Sequence, residues 1–243
     1  MKTSNPAIGE NIESKFSLVA SNALTVQGVV MKTLFLTICL LVTAVPCWIK
    51  ALKGNPGDLN GLLLIGCLGG LFIAFVIIFS PTMAPILSPI YALLEGLVLG
   101  ALSGIMEAKY PGISIQAIVI TLCCLFGMLF CYQTGIIKYS ESFAKFILVA
   151  LAGILLIYVV DIMLVLFNVP GIIFIHDTGP LGICFSIGIV TIASLSLIID
   201  FENIVQLRGA PKYMEWYGAF SLMVSLVWLY IEVLRLLSKI RQK

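Results

Sequence analysis

The sequence predicts an all-α polytopic membrane protein, and three observations lead to that prediction. Of the 243 residues, 60% are hydrophobic and only 11% are charged, whereas soluble domains carry roughly 25% charged residues. The mean hydropathy is +1.13. Charge-free stretches recur along the chain, and the one from Leu59 to Leu94 is too long for a single span, since about 20 residues cross the apolar core of a bilayer. We therefore expect a lipid bilayer as the protein's environment.

Composition also argues against several other classes of protein. The net charge is only +2, and no basic arm or aromatic-basic alternation indicates a nucleic-acid partner. The seven cysteines lie within apolar runs without a CxxC pair, and His176 is the only histidine, so neither a metal centre nor another cofactor is predicted. No HExxH, GxSxG, Walker or Gly-x-Gly-Asp pattern is present. We therefore predict that the protein is not an enzyme.

Seven spans follow from the positions of charges, prolines and glycines. The first is charge-free and ends near Pro46 and Trp48, which mark an interface. Pro81, Pro85 and Pro89 divide the long uncharged stretch into the second and third spans. The remaining four are bounded by loops that carry charge or turn residues. The predicted spans lie near residues 33–49, 61–79, 86–105, 113–131, 146–167, 181–199 and 216–234.

The predicted organisation is a single helical domain with short polar ends. Residues 1–30 form a polar segment, 31–238 the transmembrane domain, and 239–243 a basic C-terminal tail. With an inside N-terminus and seven crossings, seven Lys and Arg residues lie on each side, so the positive-inside rule does not decide the topology. Moving the C-terminal four to the inner side gives eleven against three. We favour an inside N-terminus and leave the side of the C-terminus open. The last segment is either re-entrant or lies inside a bundle of six helices, where lipid does not determine its direction.

The sixth and seventh spans each carry a polar stripe at helical spacing. In the sixth span the stripe consists mostly of small residues and ends in a carboxylate; its members are Gly182, Ser186, Ile189, Ala193, Ser196 and Asp200. In the seventh span the stripe contains Ser221, Ser225, Trp228, Glu232 and Arg235. Such stripes are hidden from lipid, so the two are predicted to face each other or a hydrated cavity.

Several segments carry a family resemblance. LSLIIDFENI, GAPKYMEWYGAF and LVWLYIEVLRLLSK, together with NPAI, TVQGVVMKT, YALLEGLVLGALS and YPGISIQA, resemble the Bax inhibitor family, in particular a bacterial branch found in the inner membrane. The resemblance covers nearly the whole chain. It implies six helices packed around a central C-terminal seventh. It also implies a cation leak, chiefly of calcium, that protonation of a carboxylate pair controls.

The resemblance assigns one acid of that pair and leaves two positions for the other. Asp200 matches the acid that closes the sixth span. An alignment through LRLL places the second acid at Ser225, whereas an alignment through LYIE places it at Glu232; the first preserves the spacing from Asp200 better. Two close carboxylates cannot both ionise, so such a pair senses pH. The structural alternatives are that Asp200 caps a turn and that Glu232 pairs with Arg235.

Three further residues are candidates for the ion pathway. Glu95 lies in mid-membrane, where a charge costs about 3 kcal/mol or more unless it is paired, hydrated or protonated. Glu202 follows Asp200 towards the solvated mouth, and Arg235 is placed to neutralise an acid in the closed state. Calcium favours oxygen ligands, so Asp200 and Glu232 are the expected transient calcium contacts. Protons are the second expected ligand of these carboxylates.

A regulatory role without transport is the main alternative function. Relatives in the resembling family are linked to membrane proteases and to the stress and cell-death machinery, so a membrane protein partner is the corresponding expectation. In that case function would survive neutralisation of Asp200 and would depend on the tails or on the Arg208 to Tyr217 loop.

Overall fold

Seven long helices make up the computed structural model, which describes residues 23–53 and 56–242. All seven are long and apolar enough to cross a membrane, and the described part of the chain contains no strand beyond an isolated bridge between Ala23 and Pro211. The helices are α1 Val26–Lys53, α2 Pro56–Phe79, α3 Ala84–Lys109, α4 Ile113–Thr134, α5 Glu141–Leu166, α6 Pro180–Gln206 and α7 Met214–Arg241. A single helical turn, Ile173–His176, precedes α6. The predicted all-α class with seven apolar helices is confirmed.

The helices extend beyond the predicted spans at both ends of the chain. Residues 26–30, predicted as part of the polar segment, belong to α1, and Leu24 before them is only 3% exposed. The predicted basic tail is helical as far as Arg241. Both differences arise because charge-free length measures the apolar core of a span, while the helix continues into the interface. Residues 1–22, residues 54–55 of the predicted first loop, and Lys243 lie outside the described residues.

The prolines divide the long uncharged stretch where the sequence predicts. α2 ends at Phe79, Ser80 has a non-helical backbone, and a short 3-10 turn spans Pro81–Met83. Pro85 then occupies the first turn of α3, where its missing N–H needs no partner within the helix. The chain thus reverses direction within a few residues.

Glycines allow α1 and α3 to approach closely as parallel neighbours. Gly96, Gly100 and Gly104 face successive turns of α1. Between them, Thr43 Oγ1 donates a hydrogen bond of 2.7 Å to the carbonyl oxygen of Leu93. Membrane helices pack well through such small residues because the backbones come within hydrogen-bonding distance. The predicted glycine ladder therefore has a packing role.

α7 is the central helix of the bundle. It packs against α1, α3, α4 and α6, and a side chain of α5 reaches it through Tyr158. Leu229, Val233 and Leu234 are at most 1% exposed. By contrast, α2 packs mainly against α3, and its outer face carries exposed apolar side chains such as Phe72. Such faces meet lipid in a membrane protein.

α7 crosses the whole bundle antiparallel to α6. Near its start Ser221 contacts Asp200, and near its end Lys239 donates to the carbonyl oxygen of Gly182. α7 is one continuous helix without a re-entrant turn, and its C-terminus lies at the opposite end of the bundle from Val26. We refer to these as the Arg241 end and the Val26 end. An inside position for the Val26 end stays a prediction, because the basic residues remain evenly divided.

We predict that Gly100→Val destabilises the protein, whereas Gly127→Val does not. A Cβ atom at Gly100 would lie 2.8 Å from the Cα atom of Ala44, while one at Gly127 meets nothing within 4 Å. Overpacking of this kind costs typically about 1–3 kcal/mol. The measurement is the free energy of unfolding in mixed micelles titrated with SDS. Equal stability of the two variants would contradict the close contact between α1 and α3.

Candidate functional site

Asp200 lies at the contact between α6 and α7 and faces two hydroxyl groups. Its side chain is 8% exposed, and Ser221 Oγ donates a hydrogen bond of 2.8 Å to Oδ1. Ser225, one turn further along α7, also interacts with the carboxyl group. The second oxygen, Oδ2, is buried and has no hydrogen-bond partner of good geometry. Asp200 is thus a buried acid whose hydrogen-bonding capacity is only partly used.

The polar stripe of α6 places Asp200 against α7. Ser186 and Ser196 of the stripe, and the neighbouring Ser194, are at most 6% exposed, which agrees with the prediction that the stripe is hidden from lipid. Two of these hydroxyls donate within their own helix, from Ser194 to the carbonyl oxygen of Val190 and from Ser196 to that of Ala193, each at 2.8 Å. Because their donors are satisfied locally, Ser194 and Ser196 contribute close packing, and Asp200 is the ionisable member of the stripe.

Glu232 belongs to a different cluster. Its carboxylate is 1% exposed and accepts hydrogen bonds from the Tyr158 hydroxyl at 2.9 and 3.0 Å. Arg235 Nη1 lies 3.5 Å from Glu232 Oε1, and its guanidinium group covers the Tyr158 ring at 4.8 Å. Glu232 lies 11 positions after Ser221 and 7 positions after Ser225, which correspond to about 16 Å and about 10 Å along the helix. Asp200 and Glu232 therefore do not form a pair in this arrangement.

The position opposite Asp200 is thus occupied by Ser225, together with Ser221, and the LRLL alignment describes the geometry. A carboxylate pair is absent there, and one acid faces two hydroxyls. The pairing of Glu232 with Arg235, which the sequence offered as the structural alternative, is present. Asp200 and Glu232 cannot share a calcium ion at this separation. No group of three or more His, Cys, Asp or Glu side chains suited to a metal ion occurs among the residues that the structure describes.

The remaining predicted residues lie apart from Asp200. Glu95 is half-buried between α2 and α3, near Gly70, and interacts with Tyr91 on the preceding turn. Glu202 accepts a hydrogen bond of 2.8 Å from the Tyr132 hydroxyl and one of 3.0 Å from Gln206 Nε2. Each of these two carboxylates therefore interacts with a tyrosine side chain, Glu95 with Tyr91 and Glu202 with Tyr132.

A buried ion pair near Asp200 was missed by the sequence analysis. Glu215, in the first turn of α7, is 2% exposed and pairs with Lys32 of α1. The same carboxylate accepts hydrogen bonds from the Thr25 backbone N–H at 3.0 Å and from the Thr25 hydroxyl at 3.1 Å. The available signal was the occurrence of one Glu and one Lys in two separate resembling segments, GAPKYMEWYGAF and TVQGVVMKT. The pair fixes the start of α7 to α1, less than two turns from Ser221.

A second contact that the sequence did not reveal lies at the Arg241 end of the bundle. Asp161, near the end of α5, accepts a hydrogen bond of 2.7 Å from the Ile172 backbone N–H and lies 2.9 Å from His176 Nε2. His176 is therefore more than a loop residue, since it ties the α5–α6 connection to α5. Asp161 is 7% exposed, so these two contacts supply the partners that a buried carboxylate requires.

The fold and the site define an integral membrane protein built from seven transmembrane helices, with acids buried along the central helix. The sequence pattern of the family described as Bax inhibitor 1 like matches residues 5–242. The chain therefore belongs to the Bax inhibitor 1 like family, as its motifs indicated. Comparison with curated proteins and comparison with solved structures each gave no match.

We predict that Lys32→Met destabilises the protein by about 3 kcal/mol, because it leaves Glu215 buried without its counter-charge. Lys145→Met is the matched control. Lys145 also pairs with a glutamate, Glu141, but both side chains are exposed, and such pairs contribute at most about 1 kcal/mol. Unfolding by SDS measures both variants.

The double variant Lys32→Met/Glu215→Gln tests the same pair by removing both charges. It is expected to recover much of the stability lost in Lys32→Met, because no unpaired charge remains. Additive losses in the double variant would show that the two side chains act independently.

Proposed function

We propose that the protein is a pH-sensitive cation leak pathway, chiefly for calcium, in which Asp200 is the switch. The observation that supports this proposal most is the state of Asp200. It is 8% exposed, it lies between α6 and α7, and one of its oxygens has no hydrogen-bond partner. Membership of the Bax inhibitor 1 like family supports the same proposal. No catalytic step and no cofactor form part of it.

The proposed switch depends on the free-energy cost of an ionised carboxylate at Asp200. An ionised carboxylate inside the membrane domain is unfavourable unless a proton, a cation or water compensates it. The nearest groups on α7 are the hydroxyls of Ser221 and Ser225, which are neutral. Ionisation of Asp200 therefore favours either entry of a cation or a rearrangement of α7 against α6. Protonation removes this driving force.

The same groups provide a suitable chemistry for calcium. Carboxylate and hydroxyl oxygens are hard ligands, which calcium prefers and which it binds with flexible geometry. One carboxylate and two hydroxyls give a weak site, and a weak site suits conduction because the ion must also leave. Glu202, held by Tyr132 at the Val26 end, is placed to attract cations towards this mouth.

A single acid gives a different pH response from a carboxylate pair. In a pair the two protons are coupled and titrate in two steps. In this proposal Ser225 takes the place of the second acid, so the switch involves one proton. Glu232 and Arg235 then hold the far part of α7 in place and are not the sensor.

The proposed location is a bacterial cytoplasmic membrane, on the basis of the bacterial motifs.

We predict that calcium uptake into liposomes carrying the purified protein varies between about pH 6 and about pH 8, and that Asp200→Asn removes this variation. Asn keeps the size of the side chain and the contact with Ser221 but cannot ionise. Glu232→Gln is the control and is expected to retain the pH dependence, because Glu232 interacts with Tyr158 and Arg235 instead.

Folded protein without any leak above empty liposomes would overturn the channel proposal. The regulatory alternative, contact with a membrane protease or with the stress machinery, would then be favoured. It would be tested by substitutions in the exposed turn between α6 and α7, where Arg208 and Lys212 lie.

We also predict that Ser225→Asp moves the midpoint of the pH response to higher pH. The new carboxylate would face Asp200, and because two close carboxylates cannot both ionise, one of them keeps its proton to higher pH. Ser225→Asn, which adds similar bulk without charge, is the matched control. A midpoint in Ser225→Asp equal to that of Ser225→Asn would show that residue 225 does not face the switch.

A further inference from the structure

A long apolar groove lies on the opposite side of α7 from Asp200. It has a volume of about 830 Å³ and runs between α1 and α4, near the upper end of the range for small-molecule sites, about 300–1,000 Å³. Its walls include Leu34 and Leu41 of α1 and Ile118 of α4, and its floor includes Met223 and Leu226 of α7. The groove faces outward within the membrane domain, so the molecules that can reach it are lipids or other membrane components.

The two ends of this groove differ in chemistry. At the Val26 end, Arg208 and Gln133 are exposed and both line it. At the other end the lining includes the Trp48 side chain. Most residues between these ends are apolar, as expected for a surface that contacts an acyl chain, and most of the hydroxyl groups among them are hydrogen-bonded within the protein; these are Thr33, Thr37, Ser103, Ser114 and Tyr230. A cationic and an amide side chain thus stand where an apolar channel reaches the membrane interface.

We propose that this groove binds a phospholipid with an anionic headgroup, whose phosphate contacts Arg208 and Gln133 and whose acyl chain lies between α1 and α4. A guanidinium group matches the geometry of phosphate oxygens, and an amide N–H adds a second donor. Basic residues at the membrane surface attract anionic lipids. The carboxylate of Glu202 lies nearby and is turned towards Tyr132 and Gln206, whose side chains donate hydrogen bonds to it.

This lipid would contact the face of α7 opposite to the one that carries Ser221 and Ser225. Met223, Leu226 and Val227 line the groove, while the serines face Asp200. The proposed lipid site stands independently of the leak function, because it follows from the shape and charge of the groove alone.

The test is native mass spectrometry of the delipidated full-length protein with equimolar phosphatidylglycerol and phosphatidylcholine of identical acyl chains. Wild type is expected to retain phosphatidylglycerol preferentially. Arg208→Gln is expected to lower that preference about fivefold. Lys212→Gln, which removes an exposed charge of the same end outside the groove lining, is expected to keep it. Leu34→Trp, which narrows the groove, is expected to reduce the binding of both lipids.

Equal retention of the two lipids by wild type, or equal effects of Arg208→Gln and Lys212→Gln, would overturn the proposal. A cysteine at Leu34 tests a second occupant. If oxidation links two copies through this residue in liposomes, the groove is an interface between copies of the chain rather than a lipid site.

Discussion

Burial of polar groups along α7 is the constraint on which the rest of the structure depends. A polar atom in the membrane domain needs a partner within the protein, and α7 carries such atoms over its whole length. Three of them have partners on three different helices: Glu215 has Lys32 of α1, Tyr230 has Ser103 of α3 at 2.7 Å, and Glu232 has Tyr158 of α5. The position of α7 at the centre of the bundle follows from these contacts as much as from its apolar surface.

Asp200 differs from these acids of α7 in how completely its carboxylate is hydrogen-bonded. Its Oδ1 has a partner on α7, but its Oδ2 has none. A few other buried atoms in the described structure also lack a hydrogen-bond partner. Trp48 Nε1, Ser88 Oγ and Thr121 Oγ1 belong to neutral groups, and the charge of Arg235, whose Nη1 is the fourth such atom, is balanced by Glu232 at 3.5 Å. A carboxylic acid that lacks a hydrogen-bond partner can become stable by binding a proton or a cation. A neutral hydroxyl or indole group cannot do this.

The fold could be predicted from the sequence to a large extent, whereas the site could be predicted only in part. Charge-free length and the positions of prolines define spans well, because the bilayer restricts where charge and irregular backbone can lie. The stripe that ends at Asp200 was also visible, since helical spacing places its members on one face. Helical spacing could not decide whether Ser225 or Glu232 lies opposite Asp200. Both residues lie on the same stripe of α7, and periodicity does not show how far along the helix a contact is made. The pairs Lys32–Glu215 and Asp161–His176 join residues far apart along the chain or across a turn, and no local pattern relates them.

The fixation of α7 at its two ends limits how it can move. Its first turn is fixed to α1 through Lys32, and its last turns are fixed through Lys239 to Gly182 and through Arg241 to the Pro111 carbonyl oxygen and Gln116. A helix whose two ends are fixed can bend or twist only in its middle when a force acts on it from the side. In the proposed switch, a change at Asp200 would therefore act on the middle segment of α7, while the two fixed ends of the helix keep their positions in the bundle.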